Sequence, residues 1–126
     1  MELPEKLVLD TSVLVEFIIT KSPFRKTIAE LFAKAERGDV DLYVNTVTLA
    51  ETFYIVARVY RIAGIDDPNK EAENFITWIT SNVNVVNIDV RLSKSAGELK
   101  KRLGIALPDC LLIASASAIG DASPRF

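Results

Sequence analysis

The chain has 126 residues, 49% apolar and 25% charged, with 15 basic and 17 acidic side chains and a formal net charge of −2. This is one domain's length of chain with enough apolar residues for a core, and it lacks the basic excess of a passive nucleic-acid coat. One cysteine and no histidine exclude an intrachain disulfide, a cysteine-cluster zinc site and every catalytic system built on imidazole. Met1-Glu2-Leu3-Pro4-Glu5-Lys6 carries no signal pattern. No apolar run approaches the roughly 18 residues of a spanning helix. The expectation is a single cytoplasmic domain over residues 1–126 with no membrane association. Chemistry falls to carboxylates, hydroxyls, Lys, Arg, Tyr or a bound cofactor.

In chain order, Lys6-Leu7-Val8-Leu9 is an apolar run that reads as a buried strand ending at Asp10. Asp10-Thr11-Ser12 supplies helix-capping side chains ahead of Val13 to Ile18. From Phe24 to Arg37, Ile28, Leu31, Phe32 and Ala35 form a helical stripe that Gly38 ends. Asp41 to Asn45 reads as a second strand. Thr46 or Thr48 is the expected cap of a third helix running to Gly64. Pro68 starts a fourth helix through Phe75, Trp78 and Ile79. Asn84 to Ile88 is a third strand, Asp89 an N-cap, Arg91 to Leu103 a fifth helix closed by Gly104. Pro108 opens the last helix, Asp109 to Ile119. Short strands alternating with helices predict an α/β fold with a mainly parallel sheet, whose ligands gather at the carboxyl ends of the strands.

Most acids lie on polar helix faces or in turns. Asp10, Glu51 and Asp109 do not. Asp10 follows an apolar strand directly. Glu51 shares a helix face with Val47, Tyr54 and Ile55. Asp109 opens a helix with no further charge from Cys110 to Ile119. Each has an ordinary structural explanation: a cap for Asp10, a solvated stripe edge for Glu51, a favourable helix dipole for Asp109. Together they form a pattern, because a fold of this class can bring all of them to one edge. Clustered carboxylates repel unless a cation intervenes. Oxygen-only donors favour Mg²⁺ or Mn²⁺, which can drive phosphodiester hydrolysis without histidine.

Three segments carry a family likeness: Leu7-Val8-Leu9-Asp10-Thr11-Ser12-Val13-Leu14, Val47-Thr48-Leu49-Ala50-Glu51-Thr52-Phe53-Tyr54, and Leu107-Pro108-Asp109-Cys110-Leu111-Leu112-Ile113-Ala114-Ser115-Ala116. In order and spacing the chain resembles PIN-domain proteins of the VapC toxin group. The resemblance implies a three-layer α/β/α fold with a short central parallel sheet. It also implies Mg²⁺- or Mn²⁺-dependent endoribonuclease activity, a homodimer, and inhibition by a cognate antitoxin protein. Asp10, Glu51 and Asp109 match the family's acidic positions, and Thr11 or Ser12 its orienting hydroxyl. The family's further acid lies on a final strand. Here Gly120-Asp121-Ala122-Ser123-Pro124-Arg125-Phe126 does not read as an apolar strand, so the expectation is a sheet that could lack its last strand. Asp121 is the available substitute ligand, at a position earlier than the pattern requires.

Arg91, Lys94, Lys100, Lys101 and Arg102 form a cationic stretch on the fifth helix, either a solvated face or a phosphate-tracking rim. Lys100, Lys101 and Arg102, with Arg58 and Arg61, are the candidates for RNA or antitoxin contact. The competing functions are a weak or inactive PIN-fold interaction module, a housekeeping RNA-processing nuclease, and a receiver-like phosphoacceptor. The last is disfavoured because the second strand ends at Val44-Asn45 with no Asp.

Overall fold

Three consecutive residues of the first strand, Leu7, Val8 and Leu9, are all buried, which requires cover on both faces of the sheet. In the computed structural model, residues 4–19, 21–120 and 122–125 are described, the last four by backbone alone. The elements are β1 (Glu5–Leu9), α1 (Thr11–Ile18), α2 (Arg25–Glu36), β2 (Val40–Asn45) and α3 (Thr46–Ile62), followed by α4 (Pro68–Asn82), β3 (Asn84–Val86), α5 (Val90–Leu103), α6 (Leu107–Ile119) and β4 (Ala122–Arg125). The sheet has the order β3-β2-β1-β4, with every described pairing parallel.

Register assigns the layers. Leu7 pairs with Leu42 and Val8 with Tyr43, so side chains alternate in step across both strands. Leu7, Leu9, Leu42 and Val44 join a cluster with Leu14 of α1, Ile28 and Phe32 of α2, and Ile79 of α4. Val8 belongs to a separate cluster with Leu112 and Ala116 of α6, with Tyr43 packed against it. Helices therefore cover both faces, the expected α/β/α arrangement. Full burial of each Leu contributes about 1.5–3 kcal/mol. A stack of Phe17, Phe32, Phe75 and Trp78 binds α1, α2 and α4 together, with Phe17 and Trp78 centroids 5.2 Å apart and Phe32 and Trp78 centroids 4.8 Å apart. Phe75 and Trp78 thus serve packing. On the other face α5 and α6 form a hairpin, with Leu92 and Ala96 against Cys110, Leu111 and Ala114. Gly104, at φ +67°, makes the left-handed turn between them.

The structure differs from the sequence reading in three places. The cap of α3 is Asn45, whose side chain accepts from the Thr48 amide; Thr46 instead accepts from the Ile88 amide at 3.3 Å. The strand expected over Asn84 to Ile88 stops at Val86, because the next residues leave the sheet to reach α5. The unpromising tail does form a strand: β4 pairs with β1 from Lys6↔Ala122 to Leu9↔Arg125. Backbone pairing at a sheet edge does not need an apolar sequence.

Thr52 lies on the inward stripe of α3 with Thr48 and Val56. Its hydroxyl is buried and has no hydrogen-bond partner among the described residues. Such a group retains its desolvation cost of about 1–3 kcal/mol. Thr52→Val, which keeps the shape and removes that hydroxyl, is expected to raise stability by about 1 kcal/mol in urea unfolding.

Candidate metal centre at the carboxyl edge of the sheet

Asp10 is the first residue past β1 and occupies the N-cap position of α1 in an extended conformation. Its side chain makes no capping bond. Instead Asp10 Oδ2 accepts from Ser12 Oγ at 2.8 Å. The capping explanation therefore does not account for this carboxylate. Thr11 is buried, and its Oγ1 donates to Glu51 Oε1 at 3.2 Å across forty residues of sequence. Adjacent residues thus address Asp10 and Glu51, and both half-buried carboxylates sit at the same edge.

Glu51 depends on how α3 leaves the sheet. Asn45, the last residue of β2, is 1% exposed and uses both ends of its amide. Oδ1 accepts from the Thr48 amide at 2.7 Å, and Nδ2 donates to Ser115 Oγ at 3.1 Å. Ser115, fully buried, donates to the Leu111 carbonyl at 2.7 Å. A continuous hydrogen-bond chain therefore runs from the first turn of α3 into the middle of α6. It fixes α6 relative to the strand end. From there α6 runs back towards the start of β4, so Asp109, six residues before Ser115 and about 9 Å along the axis, projects past the carboxyl edge. Asp109 is half-buried in the first turn of α6, and its carboxylate has no hydrogen-bond or ion-pair partner among the described residues.

The donor chemistry of this edge suits a hard divalent cation, being oxygen throughout and partly shielded from water. Hydrogen bonds from Thr11 to Glu51 and from Ser12 to Asp10 gather these four residues at the strand end. Asp109 is directed to the same edge, but among the described residues no three acidic, cysteine or histidine side chains form a group able to hold a metal. Asp121, the substitute ligand suggested by sequence, lies outside the described residues.

The predicted cations divide. Arg58 donates to Tyr54 Oη at 3.2 Å, and Arg58 and Arg61 line a cavity of about 560 Å³ between α3 and α4. Lys100 donates to the Ile105 carbonyl at 2.9 Å, and Lys101 lies 3.5 Å from Glu98. Lys100 ties the end of α5 to the connection before α6, whereas Lys101 pairs within α5 itself. Arg102 instead faces a second cavity.

The PIN domain model matches residues 7–122, nearly the whole chain. The chain belongs to the PIN domain family. Its fold is shared by the VapC20 toxin of Mycobacterium tuberculosis, described as cleaving the sarcin–ricin loop. That likeness has a TM-score of 0.70 at 16% identity, over 90% of this chain and 83% of that one. VapBC2 from Rickettsia felis, bound to a promoter DNA fragment, gives a TM-score of 0.67 at 19% identity over 94% and 84%. A toxin–antitoxin complex from Klebsiella pneumoniae gives 0.65 at 15% identity over 94% and 82%. No curated protein matches the chain.

Sequence reasoning passed over two residues of this PIN domain's edge, Asn45 and Ser115. Asn before a helix is a recognisable capping signal. Nothing in sequence marks Ser115 as its partner. Ser115→Ala leaves the Asn45 amide without its acceptor and is expected to cost about 1–3 kcal/mol. Asn45→Ala, which also removes the cap, should cost about 1 kcal/mol more. Urea midpoints of the two variants check the order.

Proposed function

We propose that this PIN domain is a Mg²⁺- or Mn²⁺-dependent endoribonuclease, the toxin of a toxin–antitoxin pair. The observation that carries the reading is the Thr11 bond to Glu51 beside Asp10, which assembles oxygen donors at the carboxyl edge of a parallel sheet. Asp10, Glu51 and Asp109 are the catalytic and metal-holding acids. Thr11 orients Glu51 and Ser12 orients Asp10, each hydroxyl donating to its carboxylate. These bonds fix the direction in which the remaining lone pairs point. A bound divalent cation supplies Lewis acidity and neutralises phosphate charge. The acids collect it at this edge and keep the edge anionic until it binds. Water is the nucleophile, and the products carry a 3′-hydroxyl and a 5′-phosphate.

The likeness to solved toxin–antitoxin complexes supports an antitoxin protein as partner. Arg58 and Arg61 are the groups offered to an antitoxin carboxylate. A homodimer in the cytoplasm completes the reading; no helix among the described residues is long and apolar enough to cross a membrane. The absence of a gathered acid triple among the described residues supports a second reading, an interaction module with weak or no cleavage.

One assay separates them. Purified protein is expected to cleave RNA with Mg²⁺ or Mn²⁺ and to stop when EDTA is added. Asp10→Asn and Asp109→Asn should each lower kcat/KM by about a hundredfold or more, since several kcal/mol of charge stabilisation are removed. Cleavage that survives EDTA sinks the metal mechanism. Absence of cleavage with either ion favours the interaction module.

A further inference from the structure

A concavity of about 830 Å³ lies along the α5–α6 hairpin, apart from the acids and not used in the mechanism above. Arg91, Lys94 and Arg102 line it from α5. Their spacing places them on one face of that helix, about 16 Å from end to end. None makes an ion pair or hydrogen bond among the described residues. The acids lining the same concavity are both engaged: Asp89 accepts from the Leu92 amide at 2.8 Å, and Glu98 lies 3.5 Å from Lys101. The opposite wall is α6, represented by Ile113, Ala114, Ser117 and Ala118. It offers small side chains and no charge from Cys110 to Ile119.

The groove also has a direction. Asp109, Ile113 and Ser117 succeed one another at four-residue spacing, so the wall of the groove continues along one helix face to Asp109. Arg102, near the turn between the two helices, marks the end closest to that acid. Free cations on one side and an uncharged wall on the other suit a chain of phosphates.

We propose that the α5–α6 groove carries the phosphate backbone of single-stranded RNA, with Arg91, Lys94 and Arg102 as its contacts, and leads the strand to Asp109. This rests on the ribonuclease reading for the identity of the polyanion. Its test does not require cleavage. Binding of a short fluorescent oligouridylate is measured by anisotropy in EDTA, across salt from about 50 to about 200 mM. The variant Arg91→Gln/Lys94→Gln/Arg102→Gln should bind at least about tenfold more weakly. Its log–log salt slope should be shallower by about 2, at about 0.7 per single-strand phosphate contact. Removing equal charge from the other helical layer, Lys26→Gln/Lys34→Gln/Lys70→Gln, should change neither quantity.

Glu98→Gln removes the acid within the groove and should tighten binding, a gain that misfolding cannot produce. Unchanged affinity and slope in the groove variant overturn the proposal, as does a Glu98→Gln variant that binds no tighter. A groove variant that alters sedimentation of the protein but not RNA binding also overturns it, and assigns the groove to a second copy of the chain. Cleavage that persists with unchanged binding rejects the groove alone. Altered binding without any cleavage keeps the groove and rejects the nuclease.

Discussion

Parallel strands deliver their carboxyl ends to one edge, and a parallel sheet buried on both faces leaves little freedom in what happens there. In this PIN domain the junction is made by Asn45. One amide caps α3 through the Thr48 amide and holds α6 through Ser115. Both helices carry an acid, so the relative positions of Glu51 and Asp109 follow from a buried polar contact distinct from either carboxylate. Such a contact is stabilising only while every member is satisfied. Here the chain ends on the Leu111 carbonyl, which accepts the Ser115 hydroxyl proton. The geometry of the edge is therefore set by the interior.

The acids themselves are arranged differently. Asp10 and Glu51 are half-buried and receive hydroxyl donors, not cations, from their neighbours. A neutral donor orients a carboxylate without neutralising it, so the edge keeps its negative charge. Lys and Arg side chains are absent from these contacts. Those among the predicted cations with partners find them elsewhere: Lys100 on a carbonyl, Lys101 on Glu98, Arg58 on Tyr54. The acidic edge and the basic flank are therefore separate features of a chain whose net charge is only −2.

Much of this was legible in sequence, for identifiable reasons. The helices carry long apolar stripes and end at Gly38, Gly64, Gly104 and Gly120, which take positive φ. The strand β1 is an uninterrupted apolar run, and Asp10 stands out because it breaks that run. Glu51 and Asp109 stand out similarly against apolar surroundings. Contacts distant in sequence were not legible. The bond from Asn45 to Ser115 spans seventy residues, and a serine in an alanine-rich helix gives no sign of it. Nor does sequence distinguish Arg102, which faces a groove, from Lys100, bound to the Ile105 carbonyl, and Lys101, paired with Glu98 on its own helix.

The tail shows the limit most clearly. Apolar pattern reports burial, whereas pairing of an edge strand is a backbone matter, so Ala122-Ser123-Pro124-Arg125 forms β4 with little apolar character. Proline is compatible with that place, since a strand on the outside of a sheet has one side free of ladder partners. Register then carries a consequence for the site. Leu9, the residue before Asp10, is opposite Arg125, so β4 brings its carboxyl end, not its beginning, to the acidic edge. The question raised by sequence was whether a last strand exists at all. The backbone answers it: β4 pairs in parallel with β1 along four residues and ends level with Leu9, beside the acidic edge.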